Sequence, residues 1–219
     1  MTISSFVDLL AKPPGNSKVF NPWHDYDAVH DTCKESPLIR QANMKTYLKA
    51  IHPRIILLGE APSHHGGKFT GMAFTDPLMF LEPPLSELGL TVTAKSPERE
   101  MSGRIVWGEM GSHWKEVMLW NIMPFHPHLE GDRMTNRAPT GKEISEFKYI
   151  LEALMQLFPP AELVPVGNKA TSTLVKLDLK HLGGGIRHPA FGGKKEFCEG
   201  FRKVLGLQKS KAATQGVLF

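Results

Sequence analysis

The sequence contains only two cysteines in 219 residues, Cys33 and Cys198, and they are far apart and not in a C-x-x-C spacing. Two isolated thiols do not build the cysteine clusters that hold structural zinc or an iron–sulfur centre. A chain with so few cysteines is also typical of a reducing compartment rather than a secreted, disulfide-bonded protein. We therefore expect a cytoplasmic protein without a metal centre built on cysteine.

Long hydrophobic runs are also absent. No apolar stretch approaches the roughly 20 residues that a membrane-spanning helix requires. The segment 1–16 lacks the basic region and the cleavage site of a signal peptide, and its pattern predicts a short helix instead. A large excess of one charge is missing too, because the chain has 26 Lys and Arg residues and 22 Asp and Glu residues, which gives a net charge of +4. This mildly basic balance permits an anionic partner without requiring one, and we expect no membrane partner.

The composition is otherwise that of a globular domain, with 41% hydrophobic and 22% charged residues. The length fits one domain with a sizeable core. We expect a single domain over residues 1–206 and a flexible tail over residues 207–219, since the last residues of a domain are poorly ordered unless the fold ties them down.

Short apolar runs alternate with helical patterns along the chain. The runs 55–58, 116–123, 162–166 and a weaker one at 185–187 predict strands. A strong helix start lies between them, where Thr140 and Glu143 form a capping-box pattern. The alternation predicts an α/β fold with a mostly parallel sheet. The section 82–100 is rich in proline, serine and charge, and we expect it to be a surface excursion.

Three polar residues come directly after predicted strands: Glu60, Asn121 and His188. Because the carboxyl ends of parallel strands meet at one edge of the sheet, these side chains are expected to converge there. Open α/β sheets bind their ligands at that edge. The convergence is the strongest functional signal in the sequence, since each residue taken alone is not distinctive.

Five segments now resemble, in order, motifs of the uracil-DNA glycosylase superfamily, in the form used by its thermostable iron–sulfur branch. The resemblance covers roughly residues 54 to 203 and implies a three-layer α/β/α fold around a four-stranded parallel sheet. The segments are Gly59-Glu60-Ala61-Pro62, Gly71-Met72-Ala73-Phe74-Thr75, Asn121, Asn136-Arg137-Ala138-Pro139-Thr140 and His188-Pro189-Ala190.

The sequence also departs from that branch. Its cluster needs four cysteines and this chain has two, so the resemblance implies no iron–sulfur cluster and no other cofactor. The serine of the second motif is Ala190, and Ser63 stands where the branch often has glycine. The aspartate that activates water in the best-known branch corresponds to Ala61. If a carboxylate takes part in the reaction, it must then be the neighbouring Glu60.

The resemblance implies that Asn121 reads the base and that Phe74 stacks on it, with Gly59 and Ala61 beside them. An amide offers one acceptor and two donors, which matches the N3 donor and the O4 acceptor of uracil. The pocket of a base-flipping enzyme combines stacking with such hydrogen bonds. The alternatives are an asparagine that only bonds loop backbone and a phenylalanine that only fills the core.

Two residues are candidates for the chemistry. His188 is placed to donate to O2 of the departing base, as a donor in an oxyanion hole does. Glu60 is a candidate to orient water against C1′ of the sugar or to stabilise its positive charge. The alternatives are a loop histidine before proline and a carboxylate bonded to backbone N–H groups at a helix start.

A basic segment after the second motif predicts the DNA-binding face. Phe191 is a candidate wedge for the base stack, and Arg187, Lys194 and Lys195 are candidates for phosphate contacts. His64 is expected to face the DNA backbone. An exposed basic turn without function is the alternative. Although His126 and His128 form an H-x-H pattern, no acidic ligand accompanies them, and we predict no metal site.

These features favour a monomeric DNA glycosylase that flips uracil out of DNA, hydrolyses its glycosidic bond and leaves an abasic site. A glycosylase for another deaminated base, such as hypoxanthine or xanthine, is the alternative within enzymes. A nucleic-acid-binding member of the fold without activity is another. The last is an unrelated α/β protein that binds phosphate at the Gly59 turn.

Overall fold

The computed structural model of the chain describes residues 1–182 and 184–206, and the predicted tail lies outside the described residues. A parallel sheet forms the centre, with β2 between β3 and β5. Two further short strands, β1 and β4, pair antiparallel beside it. The strands of the described part are β1 (Val19–Phe20), β2 (Ile55–Gly59), β3 (Val117–Asn121), β4 (His126–Pro127) and β5 (Glu162–Pro165).

Helices surround the sheet. Those of α type in the described part are α1 (Ile3–Leu10), α2 (Ser36–Ala50), α3 (Gly67–Thr70), α4 (Met101–Met110), α5 (Gly141–Leu157), α6 (Asn168–Lys176) and α7 (Lys194–Val204). Short 3-10 helices cover Pro77–Leu81, Leu85–Leu88 and Gly111–Glu116. The capping box predicted at Thr140 and Glu143 begins α5, with both of its reciprocal hydrogen bonds present.

The sheet is buried on both faces, because every residue of β2 and β3 is buried. The helix α1 packs against both α2 and α5, and α4 packs on α7. Such burial is typical of parallel strands covered by helices on both sides. The predicted α/β class with a parallel sheet is therefore confirmed. The register places Gly59 opposite Asn121 at the carboxyl edge of the sheet.

The predicted fourth strand is wrong in its extent. Only Ile186 pairs in parallel, as an isolated bridge to Val166. Its N–H donates to Pro165 O at 2.8 Å, and Gly167 N–H donates to Ile186 O at 2.7 Å. The two glycines before it, Gly184 and Gly185, have φ of +88° and +55°. Since extended backbone needs negative φ, the chain curves before a second pair forms, and the sheet has three strands instead of four.

The section 82–100 is not a simple surface excursion. Leu85, Leu90, Thr93 and Ala94 are buried. Thr93 Oγ1 lies 3.2 Å from the buried guanidinium of Arg40, which donates to it. The segment therefore packs into the fold and has a defined path that leads into α4. Among the described residues, no helix is both long enough and apolar enough to cross a membrane.

Candidate active site

A cleft of about 570 Å³ opens at the carboxyl edge of the sheet. Glu60, Asn121 and His188 all line it, as does Phe74. Glu60 and Asn121 follow or end adjacent strands, and His188 comes two residues after the Ile186 bridge. The three polar residues that the sequence predicted to converge therefore share one cavity. Ala61, which follows Glu60, also lines it.

The innermost part of the cleft is formed around Gly59. A Cβ at this position would lie 2.5 Å from Asn121 Oδ1 and 2.8 Å from Phe74 Cζ. Real Cβ atoms do not approach other atoms so closely, so glycine is what allows these two side chains to meet beside the strand. The amide of Asn121 and the ring of Phe74 thus border one slot, with the backbone of Gly59 as its floor.

The Asn121 amide has no partner of its own. The residue is only 6% exposed and its side chain lines the cleft. Among the described residues the amide forms no side-chain hydrogen bond, and it is not one of the fully buried groups without a partner, so it is open to the cleft. Because the amide borders the cleft, a ligand that enters is positioned to supply the missing partners.

Phe74 is held in an unusual backbone conformation. Its φ is +52°, which is rare for a residue that is not glycine. The carbonyl of Phe74 lies against Gly103 of α4, where a Cβ would collide with it. Trp107 of α4 also donates from Nε1 to Oγ1 of Thr75, the residue after Phe74, at 3.1 Å. Strained residues persist where the surroundings hold them, often at functional sites, and here α4 holds the aromatic ring at the slot.

His188 lies on the other side of the slot, with its ring centroid 6.2 Å from that of Phe74. The N–H of Ala190 donates to Nδ1 of His188 at 3.2 Å. Burial lowers the pKa of His188, the charge of Arg187 lowers it further, and Glu100 and Glu60 oppose these effects. The ring is therefore neutral at neutral pH, with its proton on Nε2. His188 presents an N–H donor in its neutral form.

Two carboxylates line the cleft. Glu60 is paired with Lys169, whose Nζ is 3.2 Å from Glu60 Oε2. Glu100 accepts hydrogen bonds from Ser63 Oγ at 2.6 Å and from Ser102 Oγ at 2.7 Å. The sequence reasoning missed Glu100, because it lies in the section 82–100 and no motif marks it. Only the packing of that section carries it to the cleft.

The structure does not bring all of the predicted DNA-contacting residues to the cleft. Arg187 and Phe191 line the cleft, and the Phe191 side chain is 98% exposed at a φ of +52°. Lys194 and Lys195 are on the first turn of α7, outside the cleft lining. His64 does not line the cleft either, and its N–H donates to Asn136 Oδ1 at 2.9 Å.

Arg137 also lines the cleft, but its guanidinium is already occupied. It donates to Glu143 Oε2 at 2.8 Å and to Oε1 at 2.5 Å. It also donates to the carbonyls of His128, Lys18 and Ala138. The hydrogen bonds from Arg137 lower the pKa of Glu143 to about 2, although burial opposes them. Arg137 therefore has a structural role, because it connects the loop 136–140 to α5.

His126 of the H-x-H pattern has a structural role, because its ring contacts backbone carbonyls of two loops. The ring nitrogens of His126 lie 2.9 Å from Pro62 O and 3.1 Å from Arg133 O. Burial lowers the pKa of His126 to about 4. His126 thus helps to fix the loop after β2 through its contact with the Pro62 carbonyl. Across the described part of the chain, no three histidine, cysteine or carboxylate side chains are grouped to hold a metal ion.

Comparisons with known proteins agree with this geometry. The sequence profile of the Uracil DNA glycosylase superfamily matches residues 46–212. No curated protein sequence matches the chain significantly. Among solved structures, the crystal structure of wild-type SMUG2 from Pedobacter heparinus is similar, with a TM-score of 0.65 and 14% sequence identity. The alignment covers 94% of this chain and 98% of that chain. At this identity the structural likeness shows a shared fold.

Proposed function

Because this chain belongs to the uracil DNA glycosylase superfamily, we propose that it removes uracil from DNA by hydrolysing the bond between N1 of the base and C1′ of the sugar. Members of the superfamily are DNA glycosylases, so DNA is the partner of the cleft. A base inside a duplex is out of reach of such a cleft, and the nucleotide must first be flipped out of the stack.

The unpartnered amide of Asn121 is the observation that carries the choice of uracil. Its buried position beside Phe74 forms a slot in which a planar base is stacked and read at one edge. Uracil offers an acceptor at O4 and a donor at N3, and one amide satisfies both. Cytosine offers the reverse pattern at these positions, so the amide matches it only when turned by 180°, with Oδ1 accepting from N4.

His188 supports the chemistry of this reaction. When the glycosidic bond breaks, its electron pair leaves with the base, and negative charge develops on O2. The Nε2–H of neutral His188 is available to donate to that oxygen. A donor that meets charge only as it develops stabilises the transition state more than the bound substrate. Water then adds to C1′, its proton is released, and an abasic site remains.

The test is uracil release from a defined DNA strand, measured with enzyme in excess over DNA, for the wild type and for Asn121→Asp. An ionised carboxylate repels O4 and donates nothing to it, so we expect uracil excision to fall. Loss of one bidentate match costs about 1–3 kcal/mol, roughly a five- to 150-fold loss in rate.

Asn136→Asp is the matched control. It adds the same charge at the exposed rim of the cleft, and its carboxylate still accepts from the His64 N–H. We expect its rate to stay within a few-fold of the wild type. Equal losses in both variants would mean that charge in the cleft, and not base reading, explains the effect. If the wild type releases hypoxanthine or xanthine but no uracil, the uracil assignment is wrong.

A further inference from the structure

Glu100 is a carboxylate of the cleft without a cationic partner. Glu60 is neutralised in part by Lys169 at 3.2 Å. In the part of the chain that the structure describes, Glu100 forms no ion pair, and the groups that bind its carboxylate are the hydroxyls of Ser63 and Ser102. The cleft therefore contains one carboxylate that no cationic side chain of the described residues pairs with.

This carboxylate is held firmly in place. The hydroxyl of Ser63 accepts from Gly66 N–H at 3.1 Å, which turns its own proton toward Glu100 Oε2. That oxygen lies against Gly66, where a Cβ would collide with it. The backbone N–H of Glu100 donates to the buried carboxylate of Asp76 at 2.9 Å. Groups in fixed positions reorganise little during a reaction, which is what electrostatic catalysis requires.

A fixed negative charge in a cleft that binds DNA is unfavourable for binding, because every nucleotide brings a phosphate. Such a group is useful when positive charge develops on the substrate. In glycosidic bond cleavage this happens at the sugar, where the departing electron pair leaves positive charge shared between C1′ and O4′. An interaction that exists only in the transition state raises the rate without strengthening substrate binding.

We propose that the carboxylate of Glu100 contacts the deoxyribose of the flipped nucleotide and stabilises the positive charge on C1′ and O4′. The proposal rests on the proposed glycosylase function and assigns this role to Glu100 rather than to Glu60, which Lys169 neutralises. No proton moves to or from Glu100. Its charge offsets that of the sugar until water adds to C1′ and releases a proton to solvent.

Glu100 and His188 line the same cleft. In the proposed reaction the donor and the carboxylate act on opposite ends of the bond that breaks, His188 on the leaving base and Glu100 on the sugar.

The decisive experiment measures binding of two duplexes that differ only at one abasic position. One carries a pyrrolidine whose protonated nitrogen mimics the charged sugar, and the other carries a neutral tetrahydrofuran. We expect the wild type to prefer the cation by on the order of tenfold, because the two ligands differ only in a charge that a desolvated carboxylate senses. Glu100→Gln should lose most of that preference, while retaining an amide oxygen that accepts from Ser63.

Glu98→Gln is the matched control, since Glu98 lies two residues away, is exposed and faces His65 at 3.2 Å. It should keep the full preference, and Glu60→Gln should keep most of it. Ser63→Ala, which frees the carboxylate without removing it, should lower the preference in part. A preference that survives in Glu100→Gln, or is missing from the wild type, overturns the proposal. Loss in Glu60→Gln alone would assign the role to Glu60 instead.

Catalysis supplies a second readout. Glu100→Gln should lower the single-turnover rate of base release by on the order of 100-fold, as removal of one preorganised electrostatic group does. Its affinity for DNA with an uncleavable nucleotide should stay equal or become tighter, since a charge that repels phosphate is gone. If the wild type releases no uracil, the proposed substrate fails, but the abasic duplexes still decide the role of Glu100.

Discussion

At the scale of single residues, the cleft is defined by polar atoms that the protein leaves unused. Asn121 is buried and has an amide without a partner among the described residues. His188 uses one ring nitrogen to accept from Ala190 N–H, which leaves Nε2–H for a ligand. Both side chains line the same cavity and keep hydrogen-bonding capacity that the protein does not use. Together they mark where a substrate completes the hydrogen bonding.

His188→Ala separates chemistry from binding. Because the donor meets charge that appears only as the bond breaks, we expect the single-turnover rate to fall by about 10²–10³-fold. The affinity for DNA that carries an uncleavable uracil analogue should change little. His181→Ala is the control, since His181 lies outside the cleft and its ring bonds the carbonyl of Leu179. An unchanged rate in His188→Ala would remove His188 from the reaction.

At the scale of elements, one loop joins the chemistry to the DNA surface. The segment 187–193 leaves the Ile186 bridge, carries His188 into the cleft and reaches α7. Gly193 closes it, because its N–H donates to Ala190 O at 3.1 Å and a Cβ there would collide with His188 O. Phe191 extends from the same loop almost fully into solvent. Because the ring is almost fully exposed, it contributes little to the packing of the fold and is free to contact a ligand.

Phe191→Ala tests whether this ring holds the base stack open. A wedge replaces the stacking that flipping removes, which costs a few kcal/mol per step. We therefore expect uracil release from duplex DNA to fall by roughly tenfold or more, and release from single-stranded DNA to change little. Thermal stability should be unaffected, because the removed ring is exposed.

Leu81→Ala is the control for Phe191→Ala, since Leu81 is also an exposed apolar side chain and lies outside the cleft. Both of its rates should match those of the wild type. Equal losses on duplex and single-stranded DNA in Phe191→Ala would show that the ring supports the loop and does not act as a wedge.

At the scale of the whole molecule, charge is distributed unevenly around the cleft. The net charge is only +4, but Lys169 and Arg187 line the cleft, and Lys194 and Lys195 begin α7, which follows the His188 loop in the chain. The carboxylates Glu60 and Glu100 lie in the cleft. This arrangement allows the rim to bind the DNA backbone while the interior stays negative. Binding through such a rim releases counterions and is therefore weakened by salt.

The double variant Lys194→Glu and Lys195→Glu should weaken DNA binding similarly for all sequences. The slope of log affinity against log salt should become shallower by about one for each phosphate that the variant no longer binds. Fluorescence anisotropy with a labelled duplex at several salt concentrations measures both effects. The same reversal at Lys12 and Lys34, which are outside the cleft lining, controls for net charge. Equal affinity in the two double variants would place the DNA on another face.

The sequence alone determined what depends on local pattern. The strands β2, β3 and β5 were predictable because each is a short apolar run, and such a run is typical of a buried strand. The start of α5 follows from the reciprocal hydrogen bonds of Thr140 and Glu143, which are three residues apart. The convergence of Glu60 and Asn121 also follows, since parallel strands end at one edge whatever surrounds them.

Tertiary structure decided what depends on contacts between distant segments. Glu100 reaches the cleft because Asp76 and Ser63, 24 and 37 residues away, bind it. Pairing of Ile186 stops after one residue because two glycines with positive φ bend the chain. Which carboxylate remains unpaired was likewise not predictable, since the position of Lys169 against Glu60 depends on how α6 packs on β5. Local pattern places polar residues at a sheet edge, whereas only packing decides which of them gain an ion-pair partner.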